Sequence, residues 1–152
     1  MRGLNTREID SILLNNAVTR KSFLGTYPAC MKPKTKRRFY TFITNSDEHD
    51  KAGEHWNAWV VNGNTITFFD SFSRSPRADS LPLHYGQMID KFKTVRFVSK
   101  RVQSAKSVSC GLYCIHFIFC MSIGLDVQGF LSDYTKDYRK NDKIVHNIVT
   151  EF

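Results

Sequence analysis

Apolar residues fall into short, differently spaced runs along the chain, and each run predicts an element. Asn5 followed by Glu8 has the form of a helix N-cap with its reciprocal acid, opening a helix to about Asn15. Phe39–Thr44 reads FYTFIT, aromatic and β-branched throughout, and predicts a strand. His55–Val61 and Thr65–Phe72 are two further strand-like runs, separated by Asn62-Gly63-Asn64. Leu83–Phe92 predicts a helix, and Thr94–Val102 alternates as a strand does. From Cys110 to Ile123 the chain is apolar, long and free of proline, which favours a buried helix. Val127–Tyr134 and Arg139–Thr150 predict two shorter helices, whereas Pro28–Lys36 and Ser73–Asp79 read as loops. Helix, strands, helix, strand, helices is the order of an α+β fold with helices packed on a mixed β-sheet. No repeat, low-complexity tract or long linker interrupts it, so residues 1–152 are expected to form one domain.

The hairpin adds geometry. Asn-Gly is the favoured pair for a two-residue type I′ turn, in which both central residues take positive φ. With Asn62-Gly63 as the turn, Trp59 faces Ile66 and His55 faces Asp70. Directly opposed residues bring their Cβ atoms ~4.5–5.5 Å apart on one face. An imidazole and a carboxylate would then stand side by side at the open end of the hairpin, where the acid orients the base and stabilises its charged form. With Gly63-Asn64 as the turn, His55 faces Phe72 instead. A surface His–Asp pair without chemical role fits the same pattern. Replacing Asp70 with Asn is expected to slow turnover with modest effect on folding.

A second constellation joins Gln103 to Ser107-Val108-Ser109-Cys110-Gly111. Cys110 lies where a loop passes into the long apolar helix. A helix N-terminus carries partial positive charge and N–H groups that lack intrahelical partners, which favour a thiolate and can hold an oxyanion. Gly111 would let a substrate approach closely, and Gln103 could add a side-chain N–H. Ser107 and Ser109 are alternative nucleophiles, but a hydroxyl needs more activation than a thiol. Cys114 and Cys120, inside the apolar helix, read as core thiols. Cys110/Cys114 and His116/Cys120 point to different helix faces and no CxxC pair occurs, so no metal is expected. His116 is expected to pack in its helix, His49 and His84 to lie in loops, and His146 to face solvent or a neighbouring helix.

Charge and cysteine usage bear on partners and setting. Twenty-two Lys and Arg against fourteen Asp and Glu give +8, gathered in clusters that include Lys34, Lys36, Arg37 and Arg38, and Lys100 and Arg101. Such clusters suit a polyanion, nucleic acid foremost, although a solvated basic surface reads the same way. Four cysteines are few for a disulfide framework and suggest free thiols in a reducing compartment. Nothing at the N-terminus has the form of a signal peptide, and Ile115–Met121 falls far short of the ~20 apolar residues of a membrane span, so no membrane partner is expected.

Phe23-Leu24-Gly25-Thr26-Tyr27, Gly53-Glu54-His55-Trp56, Phe69-Asp70-Ser71-Phe72 and Val102-Gln103 through Ser109-Cys110-Gly111-Leu112-Tyr113-Cys114, in this order, resemble the adenovirus endopeptidase family. The resemblance covers Phe23 to about Phe119. It implies a cysteine endopeptidase with a papain-related core in permuted order. It further implies His55 as base, Asp70 as acid, Gln103 as oxyanion donor, Cys110 as nucleophile and Trp56 packed beside the histidine. The family cleaves viral precursor proteins at glycine-containing sites during particle maturation, within virion and host nucleus. DNA and a small disulfide-bound viral peptide activate it. Three departures stand out. Asp70 replaces a glutamate, the peptide-capturing cysteine is replaced near Phe92 so that no covalent peptide cofactor is expected, and the chain stops soon after its last helices. Isopeptidases of SUMO and ubiquitin-like modifiers share the His, Asp, Gln, Cys order and give the alternative enzyme. A non-catalytic DNA-binding protein on a protease fold is the alternative outside enzymes.

Overall fold

Every residue from Trp56 to Val61 is buried, so this strand has a packed layer against each of its faces. The computed structural model describes residues 2–46 and 55–152. His49 and the Gly53-Glu54 half of one motif lie outside them. The described residues form one mixed sheet in the order β1 (Phe23–Pro28), β2 (Phe39–Asn45), β3 (Trp56–Asn62), β4 (Thr65–Phe69), β5 (Thr94–Phe97). The outer pairs β1–β2 and β4–β5 are parallel, and the inner pairs are antiparallel. The helices are α1 (Thr6–Asn15), α2 (Leu83–Ile89), α3 (Cys110–Ser122), α4 (Val127–Leu131) and α5 (Tyr138–Thr150). The α+β architecture read from the element order is the one observed.

Strand alternation divides the core in two. Trp56, Ala58 and Val60 join Ile9 and Leu13 of α1, and residues of α3, α4 and α5, on one face. Trp59, Val61, Ile66 and Phe68 pack with Tyr85, Met88 and Ile89 of α2 on the other. α1 starts as expected, with Asn5 and Glu8 forming a reciprocal capping box. α2, α4 and β5 are shorter than the sequence implied. His84 lies in α2 rather than in a loop, while His116 is buried in α3 and His146 is exposed on α5. β1 was not expected. Its Gly25, at φ 141°, interrupts the pairing with β2, and Pro28 ends it, so it survives only as an edge strand.

The hairpin takes the second of its two registers. Asn62 pairs with Thr65, Val61 with Ile66 and Trp59 with Phe68, so Gly63-Asn64 is the turn, not Asn62-Gly63. Asn62 is held in the ladder by β2, where it opposes Phe39, and only Gly63, at φ 61°, takes the left-handed region. Positive φ at the first central residue alone is the type II′ arrangement, which needs glycine at that position. His55 therefore falls opposite Phe72, with the two rings stacked at 5.5 Å, and Asp70 falls opposite Asn57.

Candidate active site

The corrected register still joins His55 to Asp70. The slip is two residues, so both side chains stay on one face of the sheet, and Asp70 becomes the diagonal neighbour of His55. Diagonal neighbours remain within reach of long side chains. His55 Nε2 lies 2.6 Å from Asp70 Oδ1.

Asp70 follows the last residue of β4 and is fully buried. Its Oδ1 also accepts from Asn57 Nδ2 at 2.8 Å and from an Arg74 guanidinium nitrogen at 3.1 Å. Oδ2 accepts from Arg74 Nε at 3.0 Å and from the backbone N–H groups of Phe72 and Arg74 at 3.3 and 3.2 Å. Burial pushes this carboxyl pKa up, but the bonds and charges of His55 and Arg74 outweigh burial and hold it well below the usual carboxylate range. Behind it, Tyr85 donates to Asn57 Oδ1 at 3.1 Å, and its hydroxyl bonds that of Thr44 at 2.7 Å.

Cys110 is the first residue of α3 and is buried. Burial lowers the pKa of His55, yet hydrogen bonds to Asp70 and Cys110 and their negative charges raise it to about 9. With Nε2 committed to Asp70, Nδ1 is the ring nitrogen left for the Cys110 sulfur. Cys114 and Cys120 lie deeper in α3, and burial raises both thiols, Cys120 to about 12. Cys120 also contacts His116 Nε2 at 3.2 Å, and no group of side chains able to hold a metal occurs among the described residues.

Gln103 reaches the same end of the sheet because Ser71, next to Asp70, accepts from the backbone N–H groups of both Val102 and Gln103. Ser71 Oγ donates to Gln103 Oε1 at 2.5 Å, and Gln103 Nε2 donates to Ser107 O and Oγ, each at 2.9 Å. The amide is thus anchored three residues before Cys110, with both hydrogens on Ser107.

Two expected roles change. A Cβ on Gly111 would meet Trp56 Cδ1 at 3.3 Å and Leu4 Cβ at 3.4 Å. The missing side chain therefore admits the core, not a substrate. Trp56, adjacent to His55 in the chain, points to the opposite face, where its Nε1 donates to Leu4 O at 3.0 Å. It braces α3 through Gly111 instead of lying beside the imidazole. Of the basic residues, Lys34, Lys36, Arg37, Arg38 and Lys100 are exposed. Arg101 is partly buried, its guanidinium 4.4 Å from the Tyr138 ring and its Nε on Gln103 O. Asn57 and Arg74 were not foreseen, and Ser107, read as an alternative nucleophile, instead holds the Gln103 amide. Asn57 was within reach of the alternation rule, two residues from His55 on the same face.

The fold is a protease's. The ASFV pS273R protease aligns with a TM-score of 0.63 at 17% identity, covering 95% of this chain and 67% of its own. In sequence the chain is adenain-like. It is 28% identical to the protease of Bovine adenovirus 7 over 134 residues, and 24% identical to that of Snake adenovirus serotype 1 over an alignment covering 99% of this chain. The first alignment takes in 79% of this chain and 65% of the relative's length, the second 88% of the relative. No family model matches the chain.

Proposed function

We propose that the chain is a cysteine endopeptidase with Cys110 as nucleophile, His55 as base and Asp70 as orienting acid. The observation that carries the reading is the part-buried Asp70–His55 contact of 2.6 Å, with Cys110, first residue of α3, among the groups that raise the pKa of the same imidazole. His55 takes the thiol proton on Nδ1 while Asp70 accepts from Nε2–H and fixes the tautomer. The thiolate adds to the scissile carbonyl, and N–H groups at the α3 N-terminus, with Gln103 once its amide leaves Ser107, stabilise the oxyanion. The imidazolium then protonates the leaving amine as the C–N bond breaks, giving a thioester. Water, deprotonated by His55, hydrolyses the thioester and restores the thiol.

The relatives, each named a protease, support proteins as substrates. Viral precursors, cleaved at glycine-containing sites during maturation in virion and host nucleus, are the substrates that the family resemblance implies. The exposed Lys34, Lys36, Arg37, Arg38 and Lys100 could meet DNA phosphates without sequence preference. DNA as an activator, and no covalent peptide cofactor given the replacement near Phe92, are what the resemblance and its departure imply. A glycine-ended peptide bearing a thiol-reactive electrophile tests the chemistry. One adduct, on Cys110 and lost in Cys110→Ala, is the expected mass-spectrometric result. Equal labelling of Cys30 and Cys110 would sink the assignment. Viral precursors set against ubiquitin-like conjugates then separate endopeptidase from isopeptidase.

A further inference from the structure

Asp70 is shared. Its carboxylate faces His55 on one side and the Arg74 guanidinium on the other, and the guanidinium binds both oxygens, through Nε at 3.0 Å and a terminal nitrogen at 3.1 Å. The loop is shaped for this contact. Ser73, at φ 65°, lies in the left-handed region that non-glycine residues rarely occupy, and its N–H donates to Asp70 O at 2.8 Å. That turn folds Arg74 back over the acid, with its side chain only partly exposed.

Orientation of the carboxylate does not depend on Arg74's side chain. Asn57 Nδ2 fixes Oδ1, and the backbone N–H groups of residues 72 and 74 fix Oδ2. The guanidinium therefore adds charge more than geometry. A second cation on one carboxylate weakens that acid's hold on the first, so the proton on His55 is easier to release. We propose that Arg74 is a positioning residue, acting through Asp70, that keeps the His55 imidazolium acidic enough to protonate the leaving amine. The inference rests on the proposed roles of Cys110 and His55. The other ionisable groups turned toward the pair are Cys110 and Cys114 from α3 and Tyr85 from α2, while Arg101 lies over the outer ring of Phe72 at 5.5 Å. Burial raises Cys114 and Tyr85 further above their ordinary values and keeps both uncharged. Arg74 is the full positive charge in direct contact with Asp70 besides His55.

The test is the pH profile of kcat/KM on a peptide substrate for wild type, Arg74→Gln and Arg74→Lys, with folding checked by circular dichroism. Loss of the imidazolium near pH 9 sets the basic limb in wild type. In Arg74→Gln the limb is expected to move up by about one unit, the low end of the effect of a nearby charge. kcat should fall several-fold there with KM unchanged. Arg74→Lys, which keeps the charge, should hold the limb near its wild-type position, and Arg74→Met takes the place of the Gln variant if that one does not fold. A limb that stays or moves down in the folded Gln or Met variant, or that moves as far in Arg74→Lys as in Arg74→Gln, overturns the inference and marks Arg74 as structural, whatever happens to kcat. A wild type with no hydrolysis and no Cys110 labelling would instead remove the protease reading on which it stands.

Discussion

Asp70→Asn should destabilise this protein as well as slow it, where the sequence alone implied only a modest effect on folding. All six polar groups that approach the Asp70 carboxylate are donors: three on Oδ1 from His55, Asn57 and Arg74, and three on Oδ2 from the Phe72 and Arg74 backbones and Arg74 Nε. An amide presents its own donor to one of these sets whichever way it is turned. Three donors lose their acceptor, and Arg74 loses its counter-charge. Breaking a buried ion pair from one side costs about 3–5 kcal/mol, a large part of the ~5–15 kcal/mol by which a domain is stable. At ~2–4 °C per kcal/mol, the melting temperature should drop by about 6–20 °C. Urea denaturation of wild type and variant, with matched slopes, measures the difference directly. Its pH dependence follows from the depressed carboxyl. The stabilisation is present above the unfolded pKa of ~3.9 and is lost as pH falls through the lower folded value. The gap between the two proteins should therefore be full at neutral pH and narrow in strong acid. A neutral-pH difference under about 1 kcal/mol would refute the reasoning, returning Asp70 to an ordinary strand-end residue.

Cys110→Ala should abolish peptide hydrolysis at nearly unchanged melting temperature. Cys114→Ala should keep the chemistry and melt lower, since it opens a gap in the core and removes the thiol that donates to Trp56 O at 3.3 Å. Steady-state kinetics beside differential scanning calorimetry separates the two. Gln103→Ala should lower kcat on the order of 10²–10³ with KM little changed if its amide leaves Ser107 to hold the oxyanion, and unchanged kcat assigns it to anchoring the loop. Duplex DNA should bind with log affinity falling against log salt by ~0.9 per neutralised phosphate. Alanine at Lys34, Lys36, Arg37 and Arg38 should flatten that slope in fluorescence anisotropy without affecting cleavage of a short peptide.

What the sequence made legible was what depends on face, and what it hid depends on contact. The pair Asn5 and Glu8 marked the start of α1, the apolar run at Cys110 marked α3 at its true start, and the count from the turn kept His55 and Asp70 on one face. β1 escaped because Gly25 and Pro28 break the pattern of a strand, and its pairing is supplied from outside by β2. Gly111 was read against an absent substrate because nothing in a linear sequence tells that Trp56 and Leu4 crowd the same point. Arg74 lies four residues beyond Asp70 in a loop with no period, and only the left-handed Ser73 brings it back.

The hairpin shows why the candidate site survived a mistaken turn. A one-residue slip would have sent His55 and Asp70 to opposite faces and buried polar groups where Trp59 and Val61 belong, so the apolar pattern forbids it. A slip of two leaves every residue on its face, which is why hydrophobicity could not choose between Asn62-Gly63 and Gly63-Asn64. The choice came from outside the hairpin, where β2 holds Asn62 in the ladder against Phe39. The two-residue shift separates the pair by one diagonal step, a gap that a histidine and an aspartate can close. It also supplies what the direct pairing would have lacked, with Phe72 stacked on the imidazole at 5.5 Å and Asn57 fixing the carboxylate from the strand side. The observed register thus holds His55 by a ring as well as by an acid, and each of those partners was placed by the residue count between turn and site.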